Sequence, residues 1–132
     1  MNGINVKTDA YAAGDGKVDD YAAIQAALDA CAERGGTVFF PSGVYRIDEC
    51  LLYSSNQRLL FENGAVLLRG RKGLRYLLAN RTPSWQGGYT ATHNVDIIGA
   101  TFDGNAAIDE KATLLNNSHS RDLRIKNCKF LN

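Results

Sequence analysis

An all-β chain coiled as a right-handed parallel β-helix, with one N-terminal capping α-helix, is the fold the sequence predicts. Three observations point there. Three segments beyond residue 58 repeat one layout of strand, corner and strand. A single helix pattern precedes them and none follows. Thirteen glycines against two prolines suit many short strands and tight corners.

The helix is expected over about residues 20–34. Asp19 or Asp20 supplies an N-cap oxygen, and Gly35 and Gly36 follow where a C-cap needs positive φ. Ile24, Ala27, Leu28 and Cys31 fall at i, i+3, i+4 and i+7, one narrow apolar stripe with a covered face. After the glycines the period changes. Thr37-Val38-Phe39-Phe40 is a β-branched and aromatic run, Pro41-Ser42-Gly43 a turn, and Val44-Tyr45-Arg46-Ile47 an alternating strand.

The repeat appears at Leu59–Leu67, Val95–Phe102 and Leu123–Phe130, with offsets of 36 and 28 residues. The expected stacks are Leu59/Val95/Leu123, Phe61/Ile97/Ile125, Ala65/Ala100/Cys128 and Leu67/Phe102/Phe130. Parallel strands cannot be joined by tight hairpins, and no crossover helices are available, so coiling is what remains. An antiparallel sandwich would want hairpin dipeptides, of which Asn63-Gly64 is one. The chain is expected to form one domain over 1–132: a cap over 1–36, then the first coils over 37–132 with an insertion at about 69–92.

Charge excludes some partners. Fifteen basic and fourteen acidic residues leave a net charge of +1, with no Lys/Arg cluster to mark nucleic acid as a partner. No apolar run approaches a membrane span, so no membrane partner is expected, and Met1–Lys7 lacks an apolar signal core. Cys31, Cys50 and Cys128 have no paired short spacing; they read as buried free thiols that fit a reducing compartment rather than as a disulfide framework or zinc site.

Gly14-Asp15-Gly16-Lys17-Val18-Asp19-Asp20, then Ala22 to Leu28, then Gly35-Gly36-Thr37-Val38-Phe39-Phe40-Pro41-Ser42-Gly43-Val44-Tyr45, closely resemble the opening of pectate-lyase-superfamily β-helices. That superfamily includes polygalacturonases, rhamnogalacturonan hydrolases, epimerase-like domains and phage tailspikes. Gly99-Ala100-Thr101-Phe102-Asp103-Gly104-Asn105 is similar to a coil of such proteins, while Tyr11-Ala12-Ala13 departs from a frequent Tyr-Gly-Ala. Gly14, Asp15, Gly16, Asp19, Asp20, Gly35 and Gly36 are therefore read as cap-building residues, not as a metal or phosphate loop.

The resemblance implies catalytic motifs that the chain lacks. Glycoside hydrolysis needs two carboxylates across the sugar ring, and polygalacturonases carry Asn-Thr-Asp, Asp-Asp, Gly-His-Gly and Arg-Ile-Lys in that order. Neither Asn-Thr-Asp nor Gly-His-Gly occurs; Arg124-Ile125-Lys126 does, but strand alternation accounts for it. No catalytic residue, metal ligand or cofactor is assigned. His93 and His119 read as solvated corner residues, and Asp103, Asp109 and Glu110 as turn chemistry or one wall of a sugar cleft. Residues 69–92 carry Arg69, Arg71, Lys72, Arg75, Arg81, Trp85 and Tyr89, whose rings suit stacking on sugars and whose guanidinium groups suit uronate carboxylates. Within them, Leu74–Ala79 equally resembles an inward-packing strand.

The carbohydrate-binding candidates are thus Trp85, Tyr89, Arg81 and Asp103, and the expected partner is an acidic polysaccharide. Two functions are carried forward. One is the N-terminal β-helix part of a polysaccharide-degrading, polygalacturonase- or pectate-lyase-like protein whose catalytic coils lie beyond Asn132. The other is a structural or carbohydrate-binding module, such as a tailspike-like segment, that self-associates through an open C-terminal rung at Leu123, Ile125, Cys128 and Phe130.

Overall fold

The computed structural model describes residues 3–32, 34–81, 92–108, 112–117 and 120–132. In chain order the elements are β1 (Gly3–Asn5), β2 (Asp15–Asp19), α1 (Tyr21–Ala30), β3 (Gly36–Phe40), β4 (Gly43–Ile47), β5 (Leu51–Tyr53) and β6 (Gln57–Phe61). There follow β7 (Ala65–Arg69), β8 (Leu78–Asn80), β9 (Thr92–Ile98), β10 (Thr101–Asp103), β11 (Leu115–Asn116), β12 (Ser120–Lys126) and β13 (Lys129–Leu131). Among the described residues every strand pairing is parallel.

Three sheets result: sheet A, β1-β3-β6-β9-β12; sheet B, β2-β4-β7-β10-β13; and sheet C, β5-β8-β11. The chain visits A, B and C in turn and then starts again one rung on, which is a parallel β-helix. Its core is the space the three sheets enclose. Alternation fills it: Leu59 and Phe61 of β6 point in while Arg58 points out, and Ala65, Leu67 and Arg69 of β7 all point in. Equivalent rings stack between rungs, Phe40 on Phe61 at 4.0 Å between centroids and Phe102 on Phe130 at 5.0 Å.

In the first coil α1 stands where later coils place a sheet C strand. Ile24, Ala27, Leu28 and Cys31 are buried, as the stripe requires. The amide of Gln25 completes the substitution: it accepts from Leu52 N (2.9 Å) and donates to Leu52 O (3.1 Å), imitating the missing strand along β5. An edge that would otherwise pair with another chain is closed by one side chain.

The helix is shorter than the expected 20–34. It ends at Ala30 with Cys31 as C-cap, so Gly35 and Gly36 do not cap it. They shape the approach to β3 instead. Gly35 has φ +74°, and a Cβ there would lie 2.6 Å from Asn56 O, so the close approach of two successive corners demands glycine. The cap acids also divide their work differently. Asp20 holds the N-cap position without a side-chain bond to the helix; its oxygens accept from Ala13 N (2.8 Å) and Gly14 N (2.9 Å), pinning the loop before β2. Asp19 reaches Tyr21 N (3.0 Å) and Asp48 N (3.1 Å), and Asp15 folds onto Lys17 N and Val18 N, hydrogen bonds that lower its carboxyl pKa. Gly14, just before β2, and Gly16, within it, take positive φ, +64° and +75°.

Two of the expected stacks are out of register. Leu59 pairs with Ile97, not Val95, and Ile97 pairs with Ile125, while Val95 pairs with Leu123. The true offset from β6 to β9 is 38 residues rather than 36. A slip of two keeps every side chain on its own face, so apolar alternation cannot separate the two registers. On sheet B, Leu67, Phe102 and Phe130 stack as expected. The expected insertion at 69–92 is also interrupted: Arg69 ends β7, and Leu74, Leu77 and Leu78 are buried, so Leu74–Ala79 packs inward and feeds a coil strand.

No helix among the described residues is long and apolar enough to cross a membrane. Ile125, Phe130 and Leu131, on the rung expected to self-associate, are exposed.

Candidate functional site

Connection lengths single out one face. From the second coil on, the corners between sheets A and B span residues 41–42, 62–64, 99–100 and 127–128, never more than three residues. The connections from B to C run over 48–50, 70–77 and 104–114, and those from C to A over 54–56, 81–91 and 117–119, so both range from three to eleven residues. In a solenoid, insertions gather on the face that binds. The variable connections flank sheet C, which makes it the candidate face.

Its outward positions are Leu52, Ala79 and Asn116, with Ala79 paired to both neighbours. Ala79 is only 6% exposed although its neighbours Leu78 and Asn80 point in, so the outer surface is sheltered at this rung. Behind it the wall is polar and engaged. The Tyr53 hydroxyl donates to Asn117 Oδ1 (2.5 Å), Asn80 Nδ2 to Thr92 Oγ1 (3.3 Å), and Asn117 Nδ2 to Ser120 Oγ. Tyr53 is fully buried, and burial raises its hydroxyl pKa, keeping it a neutral donor. This ladder ties the end of β8 to the start of β9.

Arg81 leaves β8 and pairs with Asp29 of α1, which also accepts from Gln25 Nε2 (3.0 Å). Asp103 ends β10 and accepts from Asn105 N (2.8 Å) and Asn132 Nδ2 (3.0 Å). These two candidates therefore stand on opposite flanks of sheet C, one at the C-to-A connection and one at the B-to-C connection, and do not form a cluster. Trp85 and Tyr89 lie outside the described residues, as do His119, Asp109 and Glu110. In the connection 70–77, Arg71 Nε donates to Asp48 O (2.6 Å) and the exposed Arg75 sits over the Tyr76 ring at 5.9 Å. Arg69 is completely buried, its Nε donating to Leu74 O (2.7 Å), so it shapes this connection from inside.

A charged ladder on the outer face of sheet A went unread in the sequence. Arg58, Asp96 and Arg124 are in register on β6, β9 and β12. Asp96 pairs with Arg124 and, at 3.5 Å, with Arg58, while Arg124 Nη2 donates to Asn94 Oδ1 (2.7 Å) and Asn94 Nδ2 to Asn56 Oδ1 (3.1 Å). Residues 38 and 28 apart become neighbours only once the register is known. Burial pushes the Asp96 carboxyl up, but Arg124 and then Arg58 outweigh it and the net pKa falls below its ordinary value of 3.8. A carboxyl lowered by folding stabilises above its unfolded value, and the gain is lost as pH drops through the folded one. The expected result is that acidification from about pH 7 to about pH 2.5 lowers the melting temperature of wild type more than that of Asp96→Asn. Parallel curves would show that the ladder contributes nothing.

Among the described residues no group of three or more His, Cys, Asp or Glu is placed to hold a metal. His93 Nδ1 lies 3.4 Å from Ser55 Oγ and forms a structural pair. Burial pushes the Cys50 thiol up to about 11 and raises that of Cys31 too, so neither is a thiolate at neutral pH. Arg124-Ile125-Lys126 follows strand alternation, with Arg124 tied to Asp96.

Residues 3–132 match the family described as rhamnogalacturonase A/epimerase, pectate lyase-like. The chain belongs to this family. Within reach of this pectate-lyase-like chain, the plasmin and fibronectin-binding protein A of Streptococcus pneumoniae is 32% identical over 90% of the chain, which covers 19% of that relative. Alginate lyase 7 of Azotobacter vinelandii is 39% identical over 76% of the chain and 12% of the relative. Among solved structures, the A-module of the Azotobacter vinelandii mannuronan C-5 epimerase AlgE6 superposes with a TM-score of 0.75 at 27% identity, covering 96% of the chain and 37% of the module. The chain thus spans less than a fifth of the length of the curated relatives named here.

Proposed function

We propose that this chain is the part of a polysaccharide-modifying β-helix protein that grips an acidic polysaccharide along the outer face of sheet C. The observation that carries the reading is the confinement of every length-variable connection beyond the first coil to the two flanks of that sheet. Those connections carry Arg71, Arg75 and Arg81 with Tyr76, Trp85 and Tyr89. Guanidinium groups pair with carboxylates in a fixed fork, and aromatic faces take the C–H face of a sugar ring. The names of the alginate lyase and the mannuronan epimerase place uronate polymers among the ligands of relatives, which supports an acidic glycan here. Lyase or epimerase chemistry in the parent protein fits these relatives; a polygalacturonase is the narrower form of the same proposal. No catalytic step is assigned to residues 1–132.

Titration calorimetry with short oligouronates is the test. Binding is expected, with loss on reduction of the carboxylates to alcohols and a several-fold weakening in Arg75→Ala. Equal affinity for charged and neutral oligomers would refute the acidic-glycan reading. A second reading, an adhesive module, draws on the pneumococcal relative matched over 90% of the chain. It requires no glycan binding together with capture of a host protein such as fibronectin.

A further inference from the structure

The short corner between sheets A and B holds a groove of about 280 Å³, lined by Phe61, Asn63, Gly64, Ile98, Gly99, Thr101, Asn127 and Lys129. Three rungs contribute equivalent residues to it. Gly64 and Gly99 have φ +91° and +81°, Asn127 has φ +55°, and at two of these three left-handed positions there is no side chain to fill the space. A Cβ at Gly99 would lie 2.5 Å from Phe61 O, so the floor is backbone held at a fixed spacing. With never more than three residues per corner, the groove is preformed.

Its rim is chemically idle. The side chains of Asn63, Thr101, Asn127 and Lys129 have no hydrogen-bond or ion-pair partner among the described residues. On the C-to-A side the asparagines are committed: Asn94 in β9 to Asn56, Asn80 at the end of β8 to Thr92, and Asn117 to Ser120. Ladder stability therefore explains the asparagines of one corner and not those of the other. Lys129 borders the groove and Lys126 precedes Asn127, whereas no Asp or Glu lines it. The nearest carboxylate in sequence, Glu62, is turned onto Ser42 N at 2.8 Å. Two amides and a hydroxyl that can exchange hydrogen bonds with ring hydroxyls, an ammonium for a carboxylate, and the half-buried Ile98 for a C–H face make a set suited to one sugar unit.

We infer that this corner is a second glycan site, taking a single carboxylated sugar unit outside the sheet C face and holding the polymer at a point away from it. The class of ligand rests on the acidic-polysaccharide reading; the location does not. Calorimetry with tri-galacturonate should give two sites per chain in wild type. Asn127→Gly, which keeps the left-handed backbone, combined with Lys129→Met should leave one site, and Thr101→Val should weaken that same corner site at least threefold. Amide shifts at Gly64, Gly99 and Thr101 should move on titration in wild type and stay still in the double variant, with melting temperatures within a few degrees of each other confirming the fold. Two sites in the double variant, with those three amides still moving on titration as in wild type, would overturn the inference while leaving the sheet C proposal standing. Shifts at the corner alone would support it and overturn that proposal, and no binding anywhere would overturn both.

Discussion

Replacing Leu28 by Asp is expected to destabilise the chain by at least about 4 kcal/mol. Leu28 is 1% exposed in the centre of the α1 stripe, and its carbonyl accepts from Gln57 Nε2 at 2.8 Å. The substitution removes buried apolar atoms and also buries a carboxylate with no cation beside it, so cavity and desolvation costs add. For a chain of this length that corresponds to a fall in melting temperature of about 12 °C or more. Leu28→Met, which conserves volume, should stay within about 1.5 kcal/mol. Thermal melts that put Leu28→Asp within a degree or two of wild type would mean that α1 is not packed on the coil.

Asp20→Ala is the second large effect, about 3 kcal/mol. Asp20 is 3% exposed and its two oxygens hold Ala13 N and Gly14 N, so truncation removes two charge-assisted hydrogen bonds from the loop that starts β2. The helix itself keeps its backbone bond from Ile24 N to Asp20 O. Asp19→Ala should cost less, about 1 kcal/mol, because its bonds to Tyr21 N and Asp48 N are exposed. Denaturant titration giving Asp19→Ala the larger loss would reverse the roles assigned to the pair.

Much of the architecture was legible because burial writes itself into the sequence. Ile24, Ala27, Leu28 and Cys31 announced the helix face, and Leu67, Phe102 and Phe130 announced the inner stack of sheet B. The register of β6 on β9 was not legible, since a shift of two residues leaves the same residues inside. The helix end was misread because glycines with positive φ serve close approach between corners as readily as they serve a C-cap. Gln25 carries no local signal for its role, because its pairing with Leu52 depends on a strand 27 positions away. The same holds for the site. The chemistry of Arg81 and Asp103 marks them as candidates, and only the three-sheet topology shows that they border one face from opposite sides. The Arg58–Asp96–Arg124 ladder and the corner groove are products of register and carry no local sequence signal.

The most direct test of the central claim, that the sheet C face carries the glycan, is paramagnetic broadening by an oligouronate with a nitroxide at its reducing end. The backbone amides of Leu52, Ala79 and Asn116 should lose intensity in the complex and recover on reduction of the spin label. Full intensity at those three amides, with broadening along the Arg58, Asp96 and Arg124 rungs of sheet A instead, would contradict the account.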